Sequence, residues 1–192
     1  NPYALQFHGP NSGTVSVHDN IVYDWFNADG QGLSIYSDFP GLTFASNDVQ
    51  MVSGGWCCKA DPNGDAQPVF TGNRWYSGAA DQRVFSTPGG SYFVAWATFQ
   101  TESGETGSYG AVSYTDPGRD LPGYMATLSG TQTLAGFLAE ARLQARGNWR
   151  AEYEALTVIN WVRAGYDLAA VGLPVPPRPS GGSRTRSRSR MR

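Results

Sequence analysis

The chain has 192 residues, enough for one domain with a real core, and at 40% hydrophobic and 13% aromatic it is too apolar for a disordered protein. Six of its fourteen basic residues fall within Arg178–Arg192, where there is no acid, leaving eight against sixteen acids elsewhere behind a formal net charge of −2. An acidic body with a basic end repels phosphate over most of its surface, which argues against a nucleic-acid-binding domain. No apolar run approaches the ~20 residues of a membrane span, so no membrane insertion is expected.

Turn signals recur about every ten residues: "HGPNSG", "NADGQG", "SDFPG", "DPNGD", "TPGG", "TDPGRD", "LSGTQ" and "RGNW". Between them lie strand-like runs, in order "TVSV", "NIVYDWF", "GLSIYS", "DVQMVSGGWCC", "QPVFTG", "RVFS", "SYFVAWATFQ", "GAVSY" and "ALTVINWV". Short strands at this spacing predict a mainly β fold, an antiparallel β-sandwich or barrel, with one or two short helices. One helix is expected where Leu134, Phe137, Leu138, Ala141 and Ala145 recur at helical spacing before Gly147. "SYFVAWATFQ" fits either a buried strand or a short helix. No internal repeat is evident, and the chain from Pro177 onward reads as a flexible basic tail. The abrupt opening at Asn1 reads as the start of an excised domain.

The adjacent pair Cys57 and Cys58 reads as two free thiols, in keeping with synthesis in a reducing compartment. His8 and His18 are the only histidines, and no nucleophile elbow, phosphate loop or zinc pattern accompanies them. Asp61 and Asp65 around Asn63 resemble a calcium loop faintly but lack its closing Glu, and Glu152 and Glu154 would share a strand face. The chain is therefore expected to be no enzyme, and to hold no cofactor and no metal. The segment "GGWCCKADPNGDAQPVFTGNRWYSGAADQR" gathers Trp56, Trp75 and Tyr76 with Asp61, Asn63, Asp65, Asn73, Arg74, Asp81 and Arg83. Aromatic faces beside Asp, Asn and Arg are the means of recognising a sugar or a protein surface, so these ten are the candidate binding residues.

Near the end, "WVRAGYDLAAVG" sets Trp161-Val162 ahead of Tyr166, Leu168 and Gly172, with arginines following. This order resembles the C-terminus of the calicivirus major capsid protein, the end of its protruding domain. "AVSYTDPGR", "WATFQTE", and "LQFHGPNSG" with "NADGQGLSI" are similar to other stretches of that family in the same order. The resemblance implies a protruding β domain divided into a lower subdomain (1–47 and 87–176), a short inserted upper subdomain (48–86) and a basic tail (177–192). It further implies a homodimeric spike on the virion surface, synthesised in the host cytoplasm. Its partners would be the capsid shell domain of the same protein, a host glycan or protein receptor, and neutralising antibodies. It also implies strands where spacing predicts the Leu134 helix, and a helix near "YFVAWATFQ". The competing readings are a cellular β-sandwich carbohydrate-binding module or lectin, and a glycoside hydrolase assembled from two distant carboxylates.

Overall fold

The structure, a computed structural model, describes residues 3–8, 13–26, 29–36, 39, 41–60, 68–81, 83–86 and 92–172. It forms two compact units, Asn1–Ser113 and Tyr114–Arg192.

The first unit is a coil wound repeatedly through three sheets. One turn of it contains β1 (Tyr3–His8), β2 (Val15–His18) and β3 (Ile21–Tyr23). The second contains β4 (Gln31–Tyr36), β5 (Leu42–Ala45) and β6 (Asp48–Met51), and the third β7 (Trp56–Ala60), β8 (Val69–Thr71) and β9 (Arg74–Ser77). Each strand lies parallel to its counterpart one coil later: β1 on β4 on β7, β2 on β5 on β8, β3 on β6 on β9. Register is kept through the stack, so that Leu5 lies beside Leu33 and Leu33 beside Cys58. The last coil is irregular. It comprises β10 (Phe85–Ser86) parallel to β7, β11 (Tyr92–Val94), helix α1 (Trp96–Ser103) and β12 (Ser108–Tyr109) parallel to β9. This is a parallel β-solenoid, a stack in which each coil touches chiefly its neighbours.

The expected antiparallel sandwich is therefore overturned, and among the described strands only β10 and β11 pair antiparallel. The turn spacing was right, but the turns do a different job. Between β2 and β3, β5 and β6, and β8 and β9 stand Asp19, Ser46 and Gly72, each left-handed with φ of 58°, 53° and 65°. One such residue swings the chain around a corner into the next sheet, where a hairpin needs two central residues to send it back along the same sheet. Small or short polar side chains accept that conformation at least cost. A repeat of about 27 residues results, although its side chains vary too much to register as repeated sequence. Within 48–86 the described strands β6 to β9 belong to this stack, and β7, β8 and β9 each lie parallel to their counterparts one coil earlier.

Strands buried on both sides read as unbroken apolar runs. In β4, Gln31 through Ile35 are all buried, and only Tyr36 is half-exposed. Rings fill the interior: Phe44 stacks on Trp75 at 5.6 Å, Phe85 on Phe99 at 4.5 Å, and Phe70 meets Phe44, Trp75 and Phe99 edge-on. Each such fully buried ring stabilises the fold by about 2–3 kcal/mol. "SYFVAWATFQ" divides between β11 and α1, and α1 ends at Gly104 in the left-handed conformation (φ 71°), which turns Glu105 inward.

The second unit is helical: α2 (Leu121–Thr127), α3 (Leu134–Arg142) and α4 (Ala155–Gly165), with one 3-10 turn at Ala151–Tyr153. Asp120 caps α2 by accepting the Gly123 N–H at 2.7 Å, and Thr133 caps α3 by accepting that of Gly136 at 3.0 Å. The helix expected from Leu134 onward is present over nine residues. "ALTVINWV", expected as a strand, is α4: its β-branched Thr157, Val158 and Ile159 favour a strand locally. Burial at helical spacing overrides them, setting Trp161 against Tyr124 at 5.5 Å and under the Arg119 guanidinium at 5.0 Å. "GAVSY" forms no strand. The Trp161–Gly172 stretch that carries the capsid resemblance thus lies on a helix and the loop after it, not on a closing strand. The basic tail lies outside the described residues.

Candidate functional site

Two polar arrangements stand out in the solenoid. The first runs through its interior. Asn20, Asn47 and Asn73 occupy the same corner in successive coils, 27 and 26 residues apart. The Asn47 Oδ1 accepts the N–H of Asn20 at 3.0 Å and its side-chain amide at 2.9 Å. The Asn73 Oδ1 accepts the same two groups of Asn47 at 2.8 and 3.1 Å. Asn73 in turn donates its amide to the Glu105 carboxylate at 2.7 Å, which also accepts the Trp75 indole N–H at 3.0 Å and the Gly107 N–H at 2.7 Å. Glu105 is only 2% exposed. This asparagine ladder satisfies buried backbone groups at each corner and is a folding device.

The second arrangement is on the surface. Gly55, Trp56, Ala79, Asp81, Arg83, Val84 and Phe93 line an open groove of about 230 Å³. Its floor is aromatic: the rings of Trp56 and Phe93 lie 4.8 Å apart and inclined at 56°. Phe93 is 52% exposed, and its backbone sits at φ 57°, an uncommon conformation for so bulky a residue. Strain of that kind collects at functional sites. Lys59 places its ammonium 5.7 Å from the Trp56 ring centre. Beside this platform Arg83 grips Asp81 with a fork, Nε to Oδ1 at 2.9 Å and Nη2 to Oδ2 at 2.7 Å. Those bonds, with the Arg83 backbone N–H on Oδ1, hold the Asp81 carboxyl down to about 2, so it is ionised at all ordinary pH. The fork leaves the Arg83 Nη1 unengaged among the described residues.

Of the ten residues singled out from sequence, the groove brings together Trp56, Asp81 and Arg83. Asn73 and Trp75 are fully buried in the ladder and the ring core, so neither meets a ligand. Arg74 is a surface partner of the largely buried Asp48, and Tyr76 packs at 6.0 Å from the Tyr109 ring. Asp61, Asn63 and Asp65 lie outside the described residues. Phe93 and Lys59 were not foreseen. Phe93 reaches the groove through the β10–β11 pairing, whereas Lys59 is not one of its lining residues and only approaches the Trp56 ring, at 5.7 Å.

His18 pairs with its neighbour Asp19 at 2.8 Å, and the His8 ring lies 5.7 Å from that of Tyr36. Glu152 pairs with Arg150 at 3.2 Å, while Glu154 accepts the Trp149 indole N–H at 2.6 Å. The described residues contain no group of three His, Cys, Asp or Glu side chains that could hold a metal ion.

Fold and groove together define a parallel β-solenoid with an aromatic platform beside a charged fork. No protein-family model, no curated protein and no solved structure matches the chain.

Proposed function

We propose that the chain is a non-catalytic binding module that recognises carbohydrate in the Trp56–Phe93 groove. The observation that carries this reading is the aromatic pair standing beside the Asp81–Arg83 fork. Ring faces accept the C–H face of a pyranose, and a carboxylate and a guanidinium held in one plane offer acceptors and donors to neighbouring hydroxyls. Drug-sized ligands occupy pockets of about 300 Å³ or more. A groove of about 230 Å³ with an open mouth suits one sugar ring of a chain that overhangs it.

Hydrolysis of the bound sugar is not part of this proposal. A glycosidase needs two carboxyl groups, one of them protonated to act as acid. Asp81 is the one carboxylate among the groove's described lining residues, and Arg83 keeps it ionised. Attachment to a host glycan is the portion of the sequence-level expectation that this groove supports. The spike built on an antiparallel protruding domain is not carried forward, because the sheets run parallel.

A glycan array probed with the full chain tests the proposal, followed by titration of each hit against tryptophan fluorescence. Saturable binding to a defined glycan class, lost in Trp56→Ala, is the expected result. Silence across neutral and acidic glycans, or binding indifferent to Trp56→Ala, would overturn it.

A further inference from the structure

The two ends of the asparagine ladder differ in chemistry. At one end Glu105 receives the Asn73 amide and offers only acceptors, so the ladder stops there. At the other end Asn20 has spent all its donors: its backbone N–H goes to Asn47 Oδ1, and its amide to Asn47 Oδ1 and the His18 carbonyl. Its Oδ1 has no partner among the described residues, although the same atom of Asn47 and of Asn73 accepts two N–H groups.

The neighbouring backbone repeats the pattern. At each corner the N–H that opens the next strand donates to the asparagine carbonyl one coil earlier: Asp48, after Asn47, to Asn20 at 2.8 Å, Arg74, after Asn73, to Asn47 at 2.8 Å, and Ser108, after Gly107, to Asn73 at 2.9 Å. The equivalent donor in the first coil is that of Ile21. Because the Asp24 N–H turns toward β6 to meet Gln50, the alternation of a strand turns that of Ile21 away, to the open edge. In β2 the Val15 and Asp19 N–H groups bond the second coil, which leaves that of Ser16 on the open side. Ser16, His18 and Asn20 are all exposed.

We propose that this corner of the first coil, where Ser16, Asn20 and Ile21 face outward, is a docking surface for a parallel β-coil of a partner polypeptide with an asparagine at its corner. That asparagine would donate its backbone N–H and side-chain amide to Asn20 Oδ1, and its carbonyl would accept the Ile21 N–H. A second copy of this chain does not fit. Its own Asn20 has no donor left to give, and its far end is closed by Glu105. Strand addition of this kind draws affinity from main-chain bonds and specificity from the corner residue.

The test uses the full chain and a synthetic peptide spanning residues 31–51, which carries the three strands β4, β5 and β6, with Asn47 at the corner between β5 and β6. Saturable binding at one peptide per chain is expected, with a parallel-sheet signature in isotope-edited infrared spectra. Asn20→Ala in the protein, or Asn47→Leu in the peptide, should weaken it roughly tenfold or more, the loss of two hydrogen bonds. Ser16→Pro provides a second arm, because it removes an N–H that faces outward and leaves the β2–β5 ladder whole. It should weaken binding as well without lowering the melting temperature. Failure of the peptide to bind at millimolar concentration would overturn the proposal. So would affinity unchanged by both protein variants, or a concentration-dependent dimer that Ser16→Pro abolishes.

Discussion

The side-chain amide of Asn73 meets the Glu105 carboxylate at 2.7 Å in a place that water does not reach. A buried carboxylate ordinarily needs a cation, yet here hydrogen-bond donors from Asn73, Trp75 and Gly107 take that part. Glu105→Ala would orphan those donors and leave a cavity. The expected loss is on the order of 4 kcal/mol in urea unfolding. Glu105→Gln keeps the shape but points an NH₂ at other donors, and a smaller loss, about 2 kcal/mol, is expected.

Substitutions along the ladder should be graded by burial. Asn47 and Asn73 are 1% and 0% exposed, whereas Asn20 is exposed. Asn47→Ala and Asn73→Ala should each cost about 3 kcal/mol, and Asn20→Ala about 1 kcal/mol or less. Denaturant melts of the three single variants check this order. Equal losses would mean that the corners do not depend on their side chains.

Phe93 allows stability and binding to be separated. Its φ of 57° suits glycine far better than an aromatic residue. Phe93→Gly should therefore hold or raise the melting temperature while removing half the groove's platform and lowering glycan affinity at least tenfold. Parallel thermal scans and titrations decide the matter; a marked fall in stability would show that the ring's packing outweighs its backbone strain.

The Asp81–Arg83 fork gives the groove a flat pH response. The Asp81 carboxyl is depressed in the fold, so the fork is complete above the ordinary carboxylate value of about 3.9 and is lost as pH falls through about 2. Glycan affinity should vary little from pH 8 down to about 4 as far as this pair is concerned. NMR titration of the Asp81 side-chain carbon should show a midpoint near 2, moving up toward about 3.9 in Arg83→Ala.

Burial raises both cysteine thiols, Cys58 further through the nearby Glu105 carboxylate, and neither is paired in a disulfide. The neutral thiol is a poor nucleophile. Native protein should resist a thiol-specific reagent at pH 8 and release both groups on unfolding. Rapid labelling of the native protein would contradict the burial.

Much of the strand content was visible in the residues, since Ile21–Tyr23, Val69–Thr71, Phe85–Ser86 and all of Val15–His18 but its last residue lie within runs read as strands. The direction of pairing was not. A short strand closed by a turn looks alike whether the chain doubles back or rounds a corner, and only the left-handed single residues at Asp19, Ser46 and Gly72 distinguish the two. The clue was Asn20, Asn47 and Asn73, each following such a residue and preceding a strand at nearly constant spacing. In the helical unit α3 was legible from its apolar period, but β-branched residues disguised α4. The groove was half legible: Trp56, Asp81 and Arg83 share a segment, whereas Phe93 joins them only through tertiary pairing.

The fixed corners also govern how such a chain can change length. Between Asn20 and Asn47, losing or gaining a single residue would flip the pleat of a buried strand or pull an asparagine off its column. Duplication of a whole coil would disturb neither, so lineages of this fold are expected to lengthen and shorten in jumps of some 27 residues.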